Sequence, residues 1–471
     1  MRPLWYDGAA FKFYSFYKGT LMTSSIVNPD MLNVLQDLLK TAQGFGATAA
    51  DAVLADSTSL SVQRRLGKPE SLSRSEEAEV GLRVFVGKRQ AIVSSSDKSP
   101  AGLKQMAERA VAMARAVPDD HFAGLADPDQ LATTFPDLDM YDATEMTVEK
   151  MIELADAAED AARAVAGVTN SEGAECGAGS DAVYFAATNG FAQAYAGSGY
   201  SLSVSVIAGR DTGMETDYEY DSVTFLADMK DPAMIGRAAG ERAVAALNPR
   251  KGKTKPMPVV FDRRVSGGII GSLAGAISGG AVARGTTFLK DKMGKQIFGG
   301  HINVVDDPFM VRGMRSHPFD AEGVAPQKRS IIENGVLTGW LLDLSSARQL
   351  GLQTTGNASR GASSPPSPRP ANFYMQPGDI SPEELIAGID EGFFVTQMMG
   401  SGANPVTGDY SRGARGFWIE KGQIAYPVSE MTIAGNIKDM WMNLTPANDL
   451  IFKYGIDVPT LRIDGMTVAG G

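Results

Sequence analysis

Cysteine is nearly absent from this sequence. Cys176 stands alone among 471 residues, so no internal disulfide can staple the fold. Histidine is almost as scarce: His121, His301 and His317 are the full set, too few to assemble a multi-ligand zinc site easily or to supply many general bases. Basic residues are in deficit, with 44 Lys and Arg against 55 Asp and Glu for a net charge of −11, and the charges are mixed along the chain. Nucleic acid and anionic membranes are therefore excluded as direct partners. No Gly-x-x-x-x-Gly-Lys-Ser/Thr, no strand-linked Gly-x-Gly-x-x-Gly and no Gly-x-Ser-x-Gly occurs, which removes the common nucleotide sites and serine-hydrolase elbows. A long apolar run is missing too. The one mimic, Val265 to Ala283, has nineteen uncharged residues, but nine are Gly or Ser and only six are Val, Ile or Leu. Its transfer into lipid would gain little, and it reads as a buried helix of a cytoplasmic, metal-poor protein.

Glycine is what the chain has in excess: 52 residues, about 11 percent against a usual ~7 percent, implying many turns and close backbone contacts. The first residues are rich in aromatics (Trp5, Tyr6, Phe11, Phe13, Tyr14, Phe16, Tyr17), but Lys12 and Lys18 interrupt them. Residues 1–27 are read as a disordered or over-extended N-terminus, not a signal peptide. The length predicts two or three domains.

The patterning predicts an α+β protein of three modules. A small N-terminal module, 28–118, holds an amphipathic helix at Pro29 to Gly44, a β-rich stretch at Asp51 to Arg65, a hairpin at Val80 to Ser95 around Gly87-Lys88, and a helix at Ser99 to Ala116. A Pro- and Asp-rich connection leads to a middle module, 140–248. It is read as a helix at Thr147 to Val165, three antiparallel strands within Val183 to Phe225 with turns at Asn189-Gly190, Gly197 to Gly199 and Asp211 to Gly213, and a helix at Asp231 to Leu247. A second linker precedes a large β-rich module, 257–471. There Glu333-Asn334-Gly335 and Glu420-Lys421-Gly422 each mark a tight hairpin, and Ser363 to Pro370, with four prolines, marks an extended loop.

Within the third module, Gly267, Gly271, Gly275 and Gly279 recur every four residues along a helix spanning Arg264 to Ala283. Each Gly costs a helix about 1 kcal/mol. Four on one face imply another element packed closely against them, either the chain's own core or a subunit interface. A Leu at Gly275 is then expected to overpack that face.

The segment Asp262 to Gly294, including Ser278-Gly-Gly-Ala-Val-Ala-Arg-Gly-Thr-Thr-Phe-Leu-Lys-Asp-Lys-Met-Gly294, resembles the central segment of the TldD/PmbA family, in its PmbA (TldE) branch. Asn334-Gly335, Gly356-Asn-Ala-Ser-Arg-Gly361, Gly402 to Gly408, Thr407-Gly-Asp-Tyr-Ser-Arg-Gly413 and Gly416-Phe-Trp-Ile-Glu-Lys-Gly422 follow in the family's order. The resemblance covers Asn28 to the C-terminus. It implies a cytosolic, heteromeric metallopeptidase whose TldD-type subunit carries the zinc. Zinc-bearing members have His-Glu-x-x-x-His in the position of Ile269 to Gly280 and a later cysteine ligand, whereas this chain has Gly, Ile, Leu, Ala and Ser there, and its cysteine lies earlier. The resemblance thus implies a member of a hydrolase family that is itself the non-catalytic subunit, with no cofactor of its own and with zinc in its TldD-type partner. It would form a homodimer when alone and would help enclose a chamber for short or unfolded peptides. A stand-alone peptidase with an unrelated site, and a protein-binding modulator of DNA gyrase, stay open as alternatives.

No catalytic or metal residue is assigned. Candidates for peptide or partner contact are Gly267, Gly271, Gly275, Gly279 and Arg284 of the helix, and Asn404, Thr407, Asp409, Tyr410 and Arg412 of the Gly-rich loop Ser401 to Gly416. Asp409 and Thr407 could equally serve only to satisfy their own loop. His301 and His317 near Asp306, Asp307, Asp320 and Glu322 could form an unrelated metal site, though solvated loop histidines are the commoner outcome. Cys176 reads as buried and inert, and strand edges in the hairpin-rich modules could accept an extended peptide.

Overall fold

The computed structural model describes residues 26–400 and 402–470. The expectation for residues 1–27 therefore falls, except for Ile26 and Val27, outside the described residues.

Helix α1 (Asp30–Gly44) buries Leu35, Leu38, Leu39 and Ala42, one stripe at helical spacing. It packs beside α2 (Pro100–Ala116), whose Ser99 cap accepts from the Gly102 amide at 3.1 Å. Strands β1 (Ala49–Arg65), β2 (Lys68–Val86) and β3 (Arg89–Ser95) form a meander under these helices. Helix α3 (Val148–Arg163), capped by Thr147, and α4 (Pro232–Ala245), capped by Asp231, flank β4 (Val168–Ala187), β5 (Ala192–Ala208) and β6 (Glu215–Val223). Gly197 to Gly199, expected to be a turn, lies inside β5. The ladder runs through it without interruption, with Gly197, Ser198 and Gly199 opposite Asp181, Ser180 and Gly179.

The 28–118 and 140–248 segments contribute to one antiparallel sheet of order β3-β2-β1-β4-β5-β6, because β1 pairs with β4 from Asp51↔Ala187 to Arg64↔Ala174. Its helix-bearing face holds two separate apolar clusters, one under α1 and α2, the other under α3 and α4. In the latter, the helices touch through glycine: a Cβ on Gly236 would sit 2.0 Å from the Ala158 carbonyl oxygen, and one on Gly240 2.7 Å from that of Ala162.

The C-terminal region begins with β7 (Lys255–Phe261), α5 (Arg263–Ala276) and α6 (Gly279–Arg284). There follow β8 (Val304–Asp307), β9 (Arg329–Glu333), β10 (Val336–Leu337), α7 (Leu344–Leu350), β11 (Ala358–Ser359), β12 (Ser367–Pro368), β13 (Asn372–Met375) and α8 (Pro382–Ala387). The chain ends with β14 (Glu391–Met399), β15 (Asp409–Glu420), β16 (Gln423–Asn436), α9 (Ile437–Met442), β17 (Leu444–Pro446), β18 (Ile456–Asp457) and β19 (Leu461–Gly470). Strands β16-β15-β14-β7-β19 close into a barrel, because β16 pairs with β19 as well as with β15. Both anticipated tight turns carry positive φ at both central residues, Asn334 (48°) with Gly335 (80°) and Lys421 (51°) with Gly422 (76°). Among the described residues no helix is long and apolar enough to cross a membrane; the uncharged run from Val265 is divided between α5 and α6.

The barrel region packs on the sheet's other face. Phe319, Ala358 and Ala362 join Val53, Val183, Phe185 and Tyr195 in one apolar cluster. Beside it, Asp51 of β1 accepts from Arg83 of β2 at 2.7 Å and from Arg360, which arrives from the barrel region, while Arg83 also faces Glu322 at 3.4 Å. All four are buried. Burial opposes the charge on Asp51, but Arg360 and Arg83 outweigh it and hold its carboxyl below the usual range.

A second seam runs along edge strand β6. Glu215, Asp217, Glu219 and Asp221 alternate along it, and Arg415, Arg264, Arg242 and Lys453 pair with them. Burial pushes the Glu219 carboxyl up, yet Arg242 and Lys453 prevail and hold it at about 2.

Two outcomes are expected. Asp51→Asn leaves two buried guanidinium groups short of a counter-charge and lowers unfolding free energy by about 3–5 kcal/mol in urea titration; a change under about 0.5 kcal/mol would contradict the arrangement. Glu219 has a depressed carboxyl, so its contribution is full above its ordinary value of 4.5 and fades as pH falls through about 2. Glu219→Gln is then less stable than the parent at pH 7, with the difference shrinking below pH 4.5; a gap constant down to pH 2 would refute the seam.

Candidate functional site on the open face of the barrel helix

Helix α5 is fixed at both ends. The Asp262 carboxylate accepts from the Arg264 amide at 2.8 Å, and the Arg264 side chain reaches Asp217 at 3.0 Å and the Tyr218 carbonyl at 2.8 Å on β6. Ile269, Ile270, Leu273 and Ala276 are buried in the barrel core, where the Trp441 indole donates to the Ile269 carbonyl at 3.3 Å. The opposite side carries Gly268, Gly271, Ser272 and Gly275, with Gly268 and Gly275 exposed.

This arrangement corrects the expectation of one helix with a closely packed glycine face. The helix stops at Ile277 because Leu341 captures its backbone: the Leu341 amide donates to the Ile277 carbonyl at 3.1 Å and the Gly279 amide to the Leu341 carbonyl at 2.7 Å. A Cβ on Gly271 or Gly275 would meet nothing within 4 Å, and one on Gly267 only the Ile456 carbonyl oxygen at 3.3 Å. Gly279 alone is crowded, its Cβ falling 2.4 Å from Ser346 Oγ. The closely packed four-residue glycine pair of this chain is Gly236 and Gly240, which the sequence reading passed over. Arg284 sits in the last turn of α6, beyond the break, and is exposed.

The Gly-rich loop divides in two. Asn404 accepts from the Val406 and Thr407 amides at 2.9 and 3.2 Å, and the Thr407 hydroxyl donates to Asp409 at 2.7 Å. Asn436 donates to Asp409 at 3.1 Å, and the hydrogen bonds from Thr407 and Asn436 hold the Asp409 carboxyl below its ordinary value. Asn404, Thr407 and Asp409 thus close the loop on itself. Tyr410 and Arg412 differ. Tyr410 is buried with its hydroxyl 3.3 Å from Met398 Sδ, and burial pushes its phenol up to about 12 despite the opposing effect of Arg412. Arg412 lies across the open face: its Nη1 is 3.6 Å from where a Gly268 Cβ would be, with Met398 Cε at 3.9 Å. It has no ion-pair partner among the described residues, and its Nε is buried without a hydrogen-bond acceptor. Met398, Gly268 and Gly402 border this face without having been anticipated; the doubled Gly267-Gly268 is the signal that could have found it.

The donor set does not fit zinc. On the face, Ser272 is the sole polar side chain of α5, and its hydroxyl donates to the Gly268 carbonyl at 3.1 Å. Among the described residues no group of three or more His, Cys, Asp or Glu is arranged to hold a metal ion. The acids near His301 and His317 have structural work. Asp320 accepts from the Glu322, Val324 and Ala358 amides, Asp306 from Asn357 and the Ala371 amide, Asp307 pairs with Lys328, and Glu322 faces Arg83. His317 Nδ1 meets the Arg315 carbonyl at 3.0 Å, and burial lowers its imidazole. Cys176 is buried, its thiol pushed up to about 12 by burial and then by Glu175. Chemically, the face offers a helix surface of glycines interrupted only by the Ser272 hydroxyl, bordered by the Arg412 guanidinium, which lies beside the Tyr410 hydroxyl. It holds no general base.

Comparisons with known proteins agree with this architecture. Residues 50–114, 141–247 and 254–470 match the PmbA/TldA metallopeptidase domain 1, central domain and C-terminal domain. The chain is 37% identical to Metalloprotease PmbA of Escherichia coli O157:H7 over 442 residues, covering 93% of this chain and 96% of the relative. It is 38% identical to a Metalloprotease PmbA homolog of Haemophilus influenzae over 437 residues, covering 92% and 94%. A crystal structure of a putative modulator of DNA gyrase from Bacteroides thetaiotaomicron superposes with a TM-score of 0.88 at 27% identity, covering 95% of this chain and 100% of that one. TldE from Thermococcus kodakarensis shares the fold, with a TM-score of 0.79 at 20% identity over 93% of this chain and 100% of that one.

Because the space beyond Gly275 is open, Gly275→Leu is expected to leave the unfolding free energy within about 1 kcal/mol of the parent, the gain in helix propensity included. A loss above about 2 kcal/mol in urea titration would mean that the face is packed in the isolated protein.

Proposed function

This chain belongs to the PmbA/TldA metallopeptidase family, and from that membership we propose that it is a TldE-type subunit without a zinc site of its own. It works in the cytoplasm with a TldD-type, zinc-bearing homologue, and the two enclose a chamber that admits short or unfolded peptides. The observation that carries this reading is the open face of α5. Zinc-bearing members, by the resemblance stated above, place their ligands on this helix; here Gly268, Gly271, Ser272 and Gly275 offer neither ligand nor base, and Gly271 and Gly275 face open space among the described residues. A zinc peptidase needs ligands on rigid elements, a base and an open position for water. What this helix can contribute is a wall against which a partner or a peptide approaches closely.

Exclusion of folded proteins by size is the use of such a wall. One subunit supplies part of the enclosure and a related subunit the rest, through a pseudo-symmetric interface that buries well above ~1,200 Å². Alone, the chain pairs with itself through the same surface.

The test is to mix the purified chain with its TldD-type homologue and follow sedimentation and cleavage of an unfolded casein. A stable heteromer with peptidase activity exceeding that of either chain is expected, and Arg412→Ala is expected to lower that activity without dissociating the heteromer. A chain that stays monomeric in the mixture, or that cleaves casein unaided, would overturn the reading.

A further inference from the structure

Strand β6 is the outer edge of the large sheet, and sheet edges invite pairing unless their main-chain groups are covered. In an antiparallel edge strand every second residue turns both its N–H and its C=O outward. On β6 these are Thr216, Tyr218, Tyr220 and Ser222, and the barrel region covers the first three. Arg415 donates to the Thr216 carbonyl, Arg264 to the Tyr218 carbonyl at 2.8 Å, and Lys453 to the Tyr220 carbonyl. The Tyr218 and Tyr220 amides donate to the carboxylates of Asp217 and Glu219 at 2.8 and 2.9 Å. Ser222 breaks the series. No side chain of the described residues caps its outward N–H and C=O, and it lines a cleft of about 320 Å³ between β6 and the barrel region.

Beside Ser222 the cleft is lined by four apolar residues, Val223, Met314, Ile451 and Phe452, the last 53% exposed and set edge-on to Tyr374 at 5.1 Å between ring centroids, and by five charged ones, Asp221, Asp228, Lys230, Arg312 and Lys453. The charged groups are engaged in ion pairs, Asp221 with Lys453 at 3.5 Å and with Lys230 at 4.0 Å, Asp228 with Arg312 at 2.8 Å, and Lys453 also with Glu219 at 3.3 Å. With the charged side chains held in these pairs, the groups left for recognition are the main-chain donor and acceptor of Ser222 and the four apolar side chains.

We propose that this cleft is a peptide-binding site, in which an extended, uncharged segment of an unfolded polypeptide adds to β6 at Ser222 and seats one large apolar side chain against Phe452. An uncapped pair of main-chain groups beside an apolar side chain that can seat a residue is the minimal form of strand addition. The cleft suits a substrate rather than a stable partner, since a lasting protein interface needs over about 1,000 Å² and this space takes one or two residues. The site deepens the peptide-handling reading above and rests on it for the source of the peptide.

The probe is a fluorescein-labelled, end-capped pentapeptide, Thr-Val-Phe-Val-Thr, titrated with the full chain alone and followed by anisotropy. Neither zinc nor partner is present, so failure here and failure of the heteromer are separate results. Saturable binding is expected in the range of about 10 µM to 1 mM. Two analogues, N-methylated at alternate residues to block one edge of the extended peptide or the other, distinguish strand addition from apolar adhesion. One of them is expected to bind about tenfold more weakly and the other like the parent, tenfold being one lost hydrogen bond. Phe452→Ala, at an exposed position that spares the core, is expected to weaken binding at least about fivefold. Absence of saturation up to about 1 mM, equal response to both analogues, or unchanged affinity in Phe452→Ala would each overturn the proposal.

Discussion

The burial of Asp51 between Arg83 and Arg360 is the constraint on which the remaining geometry depends. Three charges from residues 51, 83 and 360, with Glu322 beside them, are removed from water where the barrel region meets the sheet. Separately each would carry a desolvation penalty of several kcal/mol; together they compensate one another only if the two regions meet in one register. Gly81 tightens that register, since a Cβ there would lie 2.1 Å from the Ala362 carbonyl oxygen. With the barrel so placed, Arg264 of α5 and Arg415 of β15 reach the acids of β6, and the open side of α5 is held in a fixed attitude.

The glycines of α5 are informative because nothing among the described residues packs against Gly271 or Gly275. Gly236 and Gly240 incur the same helix penalty, about 1 kcal/mol each, but let α4 approach α3 closely enough to bury an alanine-lined seam. Gly271 and Gly275 incur it facing empty space. Whatever offsets that penalty lies outside the described residues, and a contact with a partner or a peptide, as proposed above, would supply it. Arg412 fits this reading. Its guanidinium lies beside the Tyr410 hydroxyl and the bare helix face and has no ion-pair partner among the described residues, so an incoming carboxylate or carbonyl would find a donor there.

Local chemistry was legible in the sequence. Ser99, Thr147 and Asp231 cap the helices they announce, and the Asn334-Gly335 and Lys421-Gly422 turns have the positive φ their residues imply. Long-range pairing was not. Nothing near residue 51 signals that β1 will pair with β4 more than a hundred residues later, so one sheet was read as two modules' worth of strands. Residues 68–79 of β2 were missed because they are polar on both sides and lack an apolar alternation. The four-residue glycine spacing is visible in the sequence, but spacing shows neither that the helix breaks at Ile277, leaving Gly279 beyond it, nor whether a glycine face is covered. The alternating acids Glu215, Asp217, Glu219 and Asp221 were a visible signal of a charged strand edge, legible only once their cations, up to 234 residues away, were placed.

The central claim is that this chain contributes walls and contacts, not metal, to a peptidase. Metal analysis by mass spectrometry tests it most directly, on the chain purified alone and on its complex with a TldD-type homologue after dialysis against a mild chelator. The account predicts no stoichiometric zinc in the isolated chain and one zinc per heteromer, retained by the homologue when the two are separated. One tightly held zinc in the isolated chain, lost only with strong chelation, would contradict it.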